Sequence, residues 1–305
     1  MRMKLLCLLA FIGFVTACNG QSTKPVEVND TKDRTFKTIT VPDTLRKPEE
    51  RALYIAKHYW DTFDFTDTAF VHLPEVMEPA FVTYLEILKY VPEDMASVSI
   101  KEMMDKAEID STMFSYLAEL YEKYLYDLES PQRNESMFIY ALEEIFYAPV
   151  WNEVQKVRPA HLLELAVRNK VGEPATDFTY TLADGKERTL YQLGADRILL
   201  FFYDPDCHTC LETTDKLANS SLVKNAIQKN RLQILAVYPG EDLYAWKNHL
   251  SYIPNQWINA YDATGRIKNE EIYDLKASPT LYLLDKDKKV ILKDATFEQI
   301  ESFLQ

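Results

Sequence analysis

Cys207-His208-Thr209-Cys210 has the residue types and the spacing for thiol–disulfide chemistry. Two intervening residues at the start of a helix put both sulfurs on its first turn, near enough to close a disulfide, with the first sulfur at the exposed N-terminus. Backbone N–H groups and the helix dipole favour a thiolate there. Such a thiolate attacks a substrate disulfide to give a mixed disulfide, and the second cysteine resolves it by attacking the first. In reverse, the same pair oxidises.

The chain holds four cysteines. Cys7 lies in an apolar run that starts after Met1-Arg2-Met3-Lys4, and Cys18 follows Val15-Thr16-Ala17. A charged start, a short apolar core and small residues at a cut site read as a secretory signal over residues 1–17. With those two cysteines accounted for, Cys207 and Cys210 remain as a single close pair. A structural framework in an oxidising compartment would use distant pairs, because a four-residue loop hardly restrains the unfolded chain. The pair is therefore read as reactive.

The elements that must carry it follow from the pattern after Asn169. Residues 177–182 and 187–190 flank the turn Ala183-Asp184-Gly185 and read as a hairpin. Residues 197–203 form a continuous apolar run, as in a central strand covered on both faces. Next are expected a helix over 207–219, a buried strand over 232–238, and helices over 242–250 and 270–275. Strands over 280–284 and 290–293 and a last helix over 297–304 complete the order.

From Pro48 to Asn169 the pattern is helical, with Met113, Leu117, Leu120, Tyr121, Tyr124 and Leu128 recurring at steps of three and four. Five or six helices are expected, and Pro159 suits the first turn of one of them. The aromatics of this half read as core, and His58, His72 and His161 as surface or satisfied core histidines rather than metal ligands. The expected organisation is a signal over 1–17, a polar tether over 18–47, an α-helical domain over 48–170 and a second domain over 171–305. The fold class is α+β in two domains.

Three features in order resemble thioredoxin-like proteins of the periplasmic thiol-disulfide oxidoreductase and redoxin group. They are Gly172-Glu173-Pro174-Ala175-Thr176-Asp177-Phe178, the Cys207–Cys210 motif after a central strand, and Ser278-Pro279-Thr280 before a hairpin. The helical half resembles a domain of unknown function fused to such domains in bacterial lipoproteins. The resemblance implies a thioredoxin-like α/β/α sandwich, with Cys207 as nucleophile, Cys210 as resolving residue, a redox-active Cys207–Cys210 disulfide, and Pro279 as a cis proline that positions substrate. Residues 15–18 resemble a bacterial lipobox, which implies palmitate or a similar lipid on Cys18. Asn19 after it resembles the outer-membrane sorting context, which places the protein in the cell envelope facing the periplasm. Disulfide-containing proteins as substrates, a membrane electron donor and no cofactor are further expectations of that resemblance.

The departures are specific. Asp206 stands where thioredoxins carry Trp, and its carboxylate opposes a thiolate on Cys207, whereas the imidazolium of His208 would favour one. Phe201 replaces the buried acid that thioredoxins place six residues before the first cysteine. Asp204, Asp206 or Glu212 could take its place, although each reads first as a solvated loop carboxylate. Asp204 also occupies the position where peroxiredoxins need Thr. Cys207, His208 and Cys210, with His249 the only other histidine of this half, are too few ligands for a metal centre. A formal charge of −13 argues against nucleic acid, whose phosphates are met by Lys and Arg. The competing reading is a binding or assembly lipoprotein in which the redox-like domain only docks.

Overall fold

Phe36 packs against the helical core in this computed structural model, which describes residues 34–305. The expected signal, the lipidated Cys18 and the tether as far as residue 33 lie outside those residues. The Phe36 ring stacks on Tyr59 at 5.1 Å and meets Trp60 edge-on at 5.3 Å. Chain and helices therefore join there.

Six helices follow: α1 (Pro48–His58), α2 (Pro74–Leu88), α3 (Glu93–Ala107), α4 (Ser111–Tyr121), α5 (Glu135–Tyr147) and α6 (Glu153–Val167). Their apolar stripes meet in one core, with Met77, Phe81, Tyr84, Leu85, Ile100, Phe114, Leu117 and Tyr121 at 0 % exposure. Burial of that many large side chains, at about 1.5–3 kcal/mol each, offsets the entropy of ordering the segment. Two hydroxyls of the core are satisfied by backbone: Tyr59 donates to the Ala80 carbonyl at 2.7 Å, and Ser99 to the Ala56 carbonyl at 2.7 Å.

Two readings of this half are corrected. Pro159 sits inside α6 rather than in its first turn, because the helix begins six residues earlier at a capping box between Asn152 and Gln155. The stripe through Tyr124 and Leu128 is not one α-helix. After Tyr121 the chain widens into a π turn, Glu122–Tyr126, and leaves the helix at Asp127.

The second half adds β1 (Thr179–Leu182), β2 (Glu187–Thr189), β3 (Arg197–Phe202), α7 (His208–Asn219), α8 (Ser221–Gln228), β4 (Leu232–Tyr238), α9 (Leu243–Asn248), β5 (Ile258–Tyr261), α10 (Arg266–Asn269), β6 (Thr280–Asp285), β7 (Val290–Leu292) and α11 (Phe297–Phe303). They make a seven-stranded sheet in the order β2-β1-β5-β4-β3-β6-β7. β3 runs parallel to β4 and antiparallel to β6, and β4 runs parallel to β5. Alternate residues of β3 feed the two faces. Ile198, Leu200 and Phe202 enter one core with Phe178, Tyr273 and Tyr282, while Leu199 and Phe201 enter the other with Leu217, Trp246 and Ile300. This sheet flanked by helices is the expected architecture.

The helix expected over 270–275 is absent. A short α10 forms earlier because the Asp262 carboxylate accepts from the backbone N–H groups of Thr264, Gly265 and Ile267, which turns the chain at that point. Two elements, α8 and β5, have no counterpart in the sequence reading. Among the described residues no helix is long and apolar enough to cross a membrane.

Candidate active site

β3 ends beside β4 and β6, and the loop after it delivers the cysteine motif to the sheet edge where parallel strands end. Cys207 is the N-cap of α7. Its sulfur accepts from the Cys210 backbone N–H at 3.2 Å, so the first turn of the helix closes on the sulfur itself. Both cysteines are free thiols, Cys207 partly exposed and Cys210 only 2 % exposed. Burial pushes the Cys210 thiol far above its ordinary range, and its hydrogen bond with Cys207 acts in the same direction.

The Ser278–Pro279 bond is cis. The Cys207 thiol donates to the Ser278 carbonyl at 3.3 Å, which puts the proline loop against the sulfur. Thr280, next in the chain, opens β6 and donates from its hydroxyl to the Ala277 carbonyl at 2.6 Å. Cys207, Cys210 and Pro279, separated in sequence by α8, α9, α10 and the strands between them, are thus brought together.

The expected modulators have partners of their own. Asp206 is 76 % exposed, and its carboxylate lies 3.9 Å from His249 Nε2. His208 is 86 % exposed and pairs with Glu212 at 3.2 Å, one turn along α7 and turned to solvent. The Asp204 carboxylate accepts from the Asp206 N–H at 3.0 Å. Phe201 has no exposed surface and stacks on Tyr203 with ring centroids 5.7 Å apart, so an aromatic pair fills the place of the missing acid. The Tyr203 hydroxyl donates to Asn259 Oδ1 at 2.8 Å.

Behind the proline loop lies a group of charges that spacing does not reveal. Lys276 Nζ is 2.7 Å from Asp294, 3.3 Å from Asp274 and 3.6 Å from Glu135 of α5, and it lies 4.4 Å from the centre of the Tyr126 ring. Burial opposes the ammonium, but the attraction of Asp294, Asp274 and Glu135 outweighs it and holds the charge more firmly than in water. Glu135 also meets Lys293 Nζ at 2.9 Å, and Lys293 donates to the Leu165, Ala166 and Arg168 carbonyls at the end of α6. Arg133 adds a bond to the Asp294 carbonyl at 2.8 Å. The oxygens of Glu135, Asp274 and Asp294 lie within 4.8 Å of one another, the spacing of a cation site, but the Lys276 ammonium already stands among them. The loop that carries Pro279 is therefore tied, three residues upstream, to the helical half.

A groove of about 960 Å³ also opens in the helical half, floored by Phe138, Leu142, Ile145 and Leu162 and closed at one end by Lys276. Its rim carries Glu119, Asp127 and Glu129. The aromatics expected to be core are so for the most part, and Tyr126 and Trp151 line this groove as well.

Comparison with known proteins finds relatives of both halves of the chain. Residues 16–169 match the family described as a domain of unknown function, DUF5106, and residues 194–290 match the family described as thioredoxin-like. A thioredoxin-like protein from Bacteroides caccae superposes with a TM-score of 0.85 at 45 % identity, over 89 % of this chain and 98 % of its own. A C-terminal domain of an uncharacterized protein from Bacteroides fragilis is 44 % identical over 45 % of this chain and 99 % of its own, with a TM-score of 0.45. The thiol-disulfide oxidoreductase ResA of Bacillus cereus is 29 % identical over 139 residues, 45 % of this chain and 78 % of that protein. With half its length in one family and a two-domain relative matched nearly end to end, this chain belongs to the thioredoxin-like proteins that carry a DUF5106 helical domain ahead of the thioredoxin-like fold.

Proposed function

We propose that the chain is a thiol-disulfide oxidoreductase of the bacterial cell envelope that reduces protein disulfides by dithiol exchange. The observation that carries this reading is the placement of the Cys207 sulfur. It caps α7, is partly exposed, has Cys210 buried one turn behind it, and faces the Ser278–Pro279 loop. Cys207 attacks the substrate disulfide, and Cys210 then attacks Cys207 and frees the second substrate thiol. The likeness to ResA of Bacillus cereus, a protein named for thiol-disulfide exchange, supports the reaction class. The lipobox-like Val15-Thr16-Ala17-Cys18 supports a lipid anchor on Cys18, Asn19 after it supports outer-membrane placement facing the periplasm, and the resemblance to periplasmic thiol-disulfide oxidoreductases supports supply of electrons from a membrane donor.

The test is reduction of insulin disulfides by the soluble chain from Gln21, in wild type and in Cys207→Ser. Activity lost with Cys207 supports the exchange mechanism. A disulfide that glutathione reduces easily overturns the reducing direction. A second reading, a docking or assembly lipoprotein, rests on the filling of the acid position by the Phe201–Tyr203 stack. Inactivity with both thiols open to alkylation would favour it. Radiolabelled palmitate incorporated by the full chain but not by Cys18→Ala tests the anchor, and label retained in the variant would refute it.

A further inference from the structure

Resolution requires a proton to leave Cys210. That thiol is buried, and burial pushes it strongly toward the protonated form. Phe201 offers no acceptor at the position where an acid would stand. Of the loop carboxylates, Asp206 is turned to solvent, and Asp204, which lines the same small cavity as Cys210, accepts the Asp206 N–H at 3.0 Å and bears a charge that opposes a thiolate on Cys210.

One titratable group with an accepting nitrogen lines the same small cavity as Cys210. The cavity, about 10 Å³, is of the order of a single water and is bounded by Tyr203, Asp204, Cys210, His249, Tyr252 and Ile253 among others. The His249 Nδ1 atom lies 2.8 Å from the Ala245 carbonyl oxygen. A carbonyl only accepts, so Nδ1 carries the proton and the neutral ring presents a lone pair at Nε2. The ring is only 27 % exposed, its orientation is fixed by Tyr252 at 5.2 Å between ring centroids, and Asp206 lies 3.9 Å from Nε2.

We propose that His249 is the proton acceptor for Cys210 in the resolving step, in place of the acid that Phe201 displaces; this rests on the dithiol-exchange reading above. The Cys210 proton passes to His249 Nε2 across the shared cavity. The Cys210 sulfur then attacks Cys207, the Cys207–Cys210 bond forms, and the bond from Cys207 to the substrate sulfur breaks. The substrate leaves as a thiolate and takes a proton from the imidazolium or from solvent, so the substrate disulfide is the oxidant and the enzyme dithiol the reductant. Asp206 stabilises the imidazolium that forms. The charged and titratable groups facing His249 are Asp204 and Asp206 from the loop after β3, Cys210 from α7, Tyr203 and Tyr252.

The test isolates that step. Cys207 of the soluble chain is loaded with thionitrobenzoate as a mixed disulfide, and release of the coloured thiolate by Cys210 is followed in single turnover from pH 5 to 9. His249→Gln is expected to slow release by about 10- to 100-fold at pH 7 and to lose the pH-dependent limb of the wild type. Added imidazole is expected to restore part of the rate in His249→Ala, while alkylation of Cys207 stays within about twofold. Release from His249→Gln at the wild-type rate and with the wild-type pH profile overturns the proposal. If neither variant folds, the wild type decides: a solvent deuterium effect above about 2 on release sustains proton transfer in the step, and an effect near 1 refutes it. No release from the wild-type adduct at all would sink the exchange reading itself, and the role of His249 with it.

Discussion

The Cys207 sulfur lies 3.3 Å from the Ser278 carbonyl oxygen and 3.2 Å from the Cys210 backbone nitrogen, so one atom joins the proline loop to the start of α7. It acts as donor to the first and as acceptor from the second. The two cysteines of one motif thereby differ in kind. Cys207 is open to a partner, whereas Cys210 is enclosed and held protonated by its burial.

That difference sets the order of reaction with a bulky alkylating reagent. At neutral pH, Cys207 is expected to be modified first and Cys210 at least about 100-fold more slowly, since the thiolate is the reactive form and reagent must reach it. Mass spectrometry of time points locates the label. Equal rates at the two cysteines would contradict the geometry.

Lys276 is the next place to probe, because Asp274, Asp294 and Glu135 share its charge in a buried setting. Lys276→Met leaves three enclosed carboxylates with Lys293 alone. Loss of one partner of a buried ion pair costs roughly 3–5 kcal/mol, and urea unfolding is expected to show a loss of that order. Lys276→Arg, which keeps the charge, should cost less than half as much. A loss below about 1 kcal/mol in Lys276→Met would mean that the group is not the anchor of the loop.

The same group gives stability a pH dependence with a definite sign. It has one more carboxylate than it has ammonium groups, and burial raises both Glu135 and Asp274 above the ordinary carboxylate range. Between the unfolded value, about 4 to 4.5, and the raised folded values, the folded state binds protons that the unfolded chain has released. The stability these groups contribute is therefore complete below the unfolded value and is lost as pH rises through the folded ones. Glu135→Gln removes one such group and is expected to flatten the fall in unfolding free energy as pH rises above the ordinary carboxylate range. Denaturation at several pH values across that window measures the slope, and an unchanged slope would count against this assignment.

How far these features can be read from sequence depends on how local their causes are. Strands β3, β4 and β6 are continuous apolar runs covered on both faces, and their burial follows directly. The strand β5, Ile258-Asn259-Ala260-Tyr261, has only Ala260 fully buried, so its pairing with β1 and β4 leaves little trace in the residue pattern. Helix α8 escapes notice because Ser220 ends α7 and caps α8 at once, with no loop between them. The cysteine motif and Ser278-Pro279 are visible as short motifs. The placement of His249 beside Cys210 and the Lys276 group are not, since each is assembled from segments far apart in the chain and no spacing rule links Glu135 to Lys293.

Asp206 and His208 flank Cys207 in sequence, yet the structure gives them unequal leverage. The Asp206 carboxylate sits next to Cys207 in the chain, whereas His208 faces outward and pairs with Glu212. Both are largely exposed, so water screens each effect. Asp206→Asn is expected to speed alkylation of Cys207 at neutral pH by about two- to fivefold at low salt, with the gain shrinking in roughly 0.5 M salt. His208→Ala is expected to change the same rate by less than about twofold. If the order is reversed, with His208 the larger effect, the imidazolium rather than the neighbouring carboxylate governs the reactivity of Cys207.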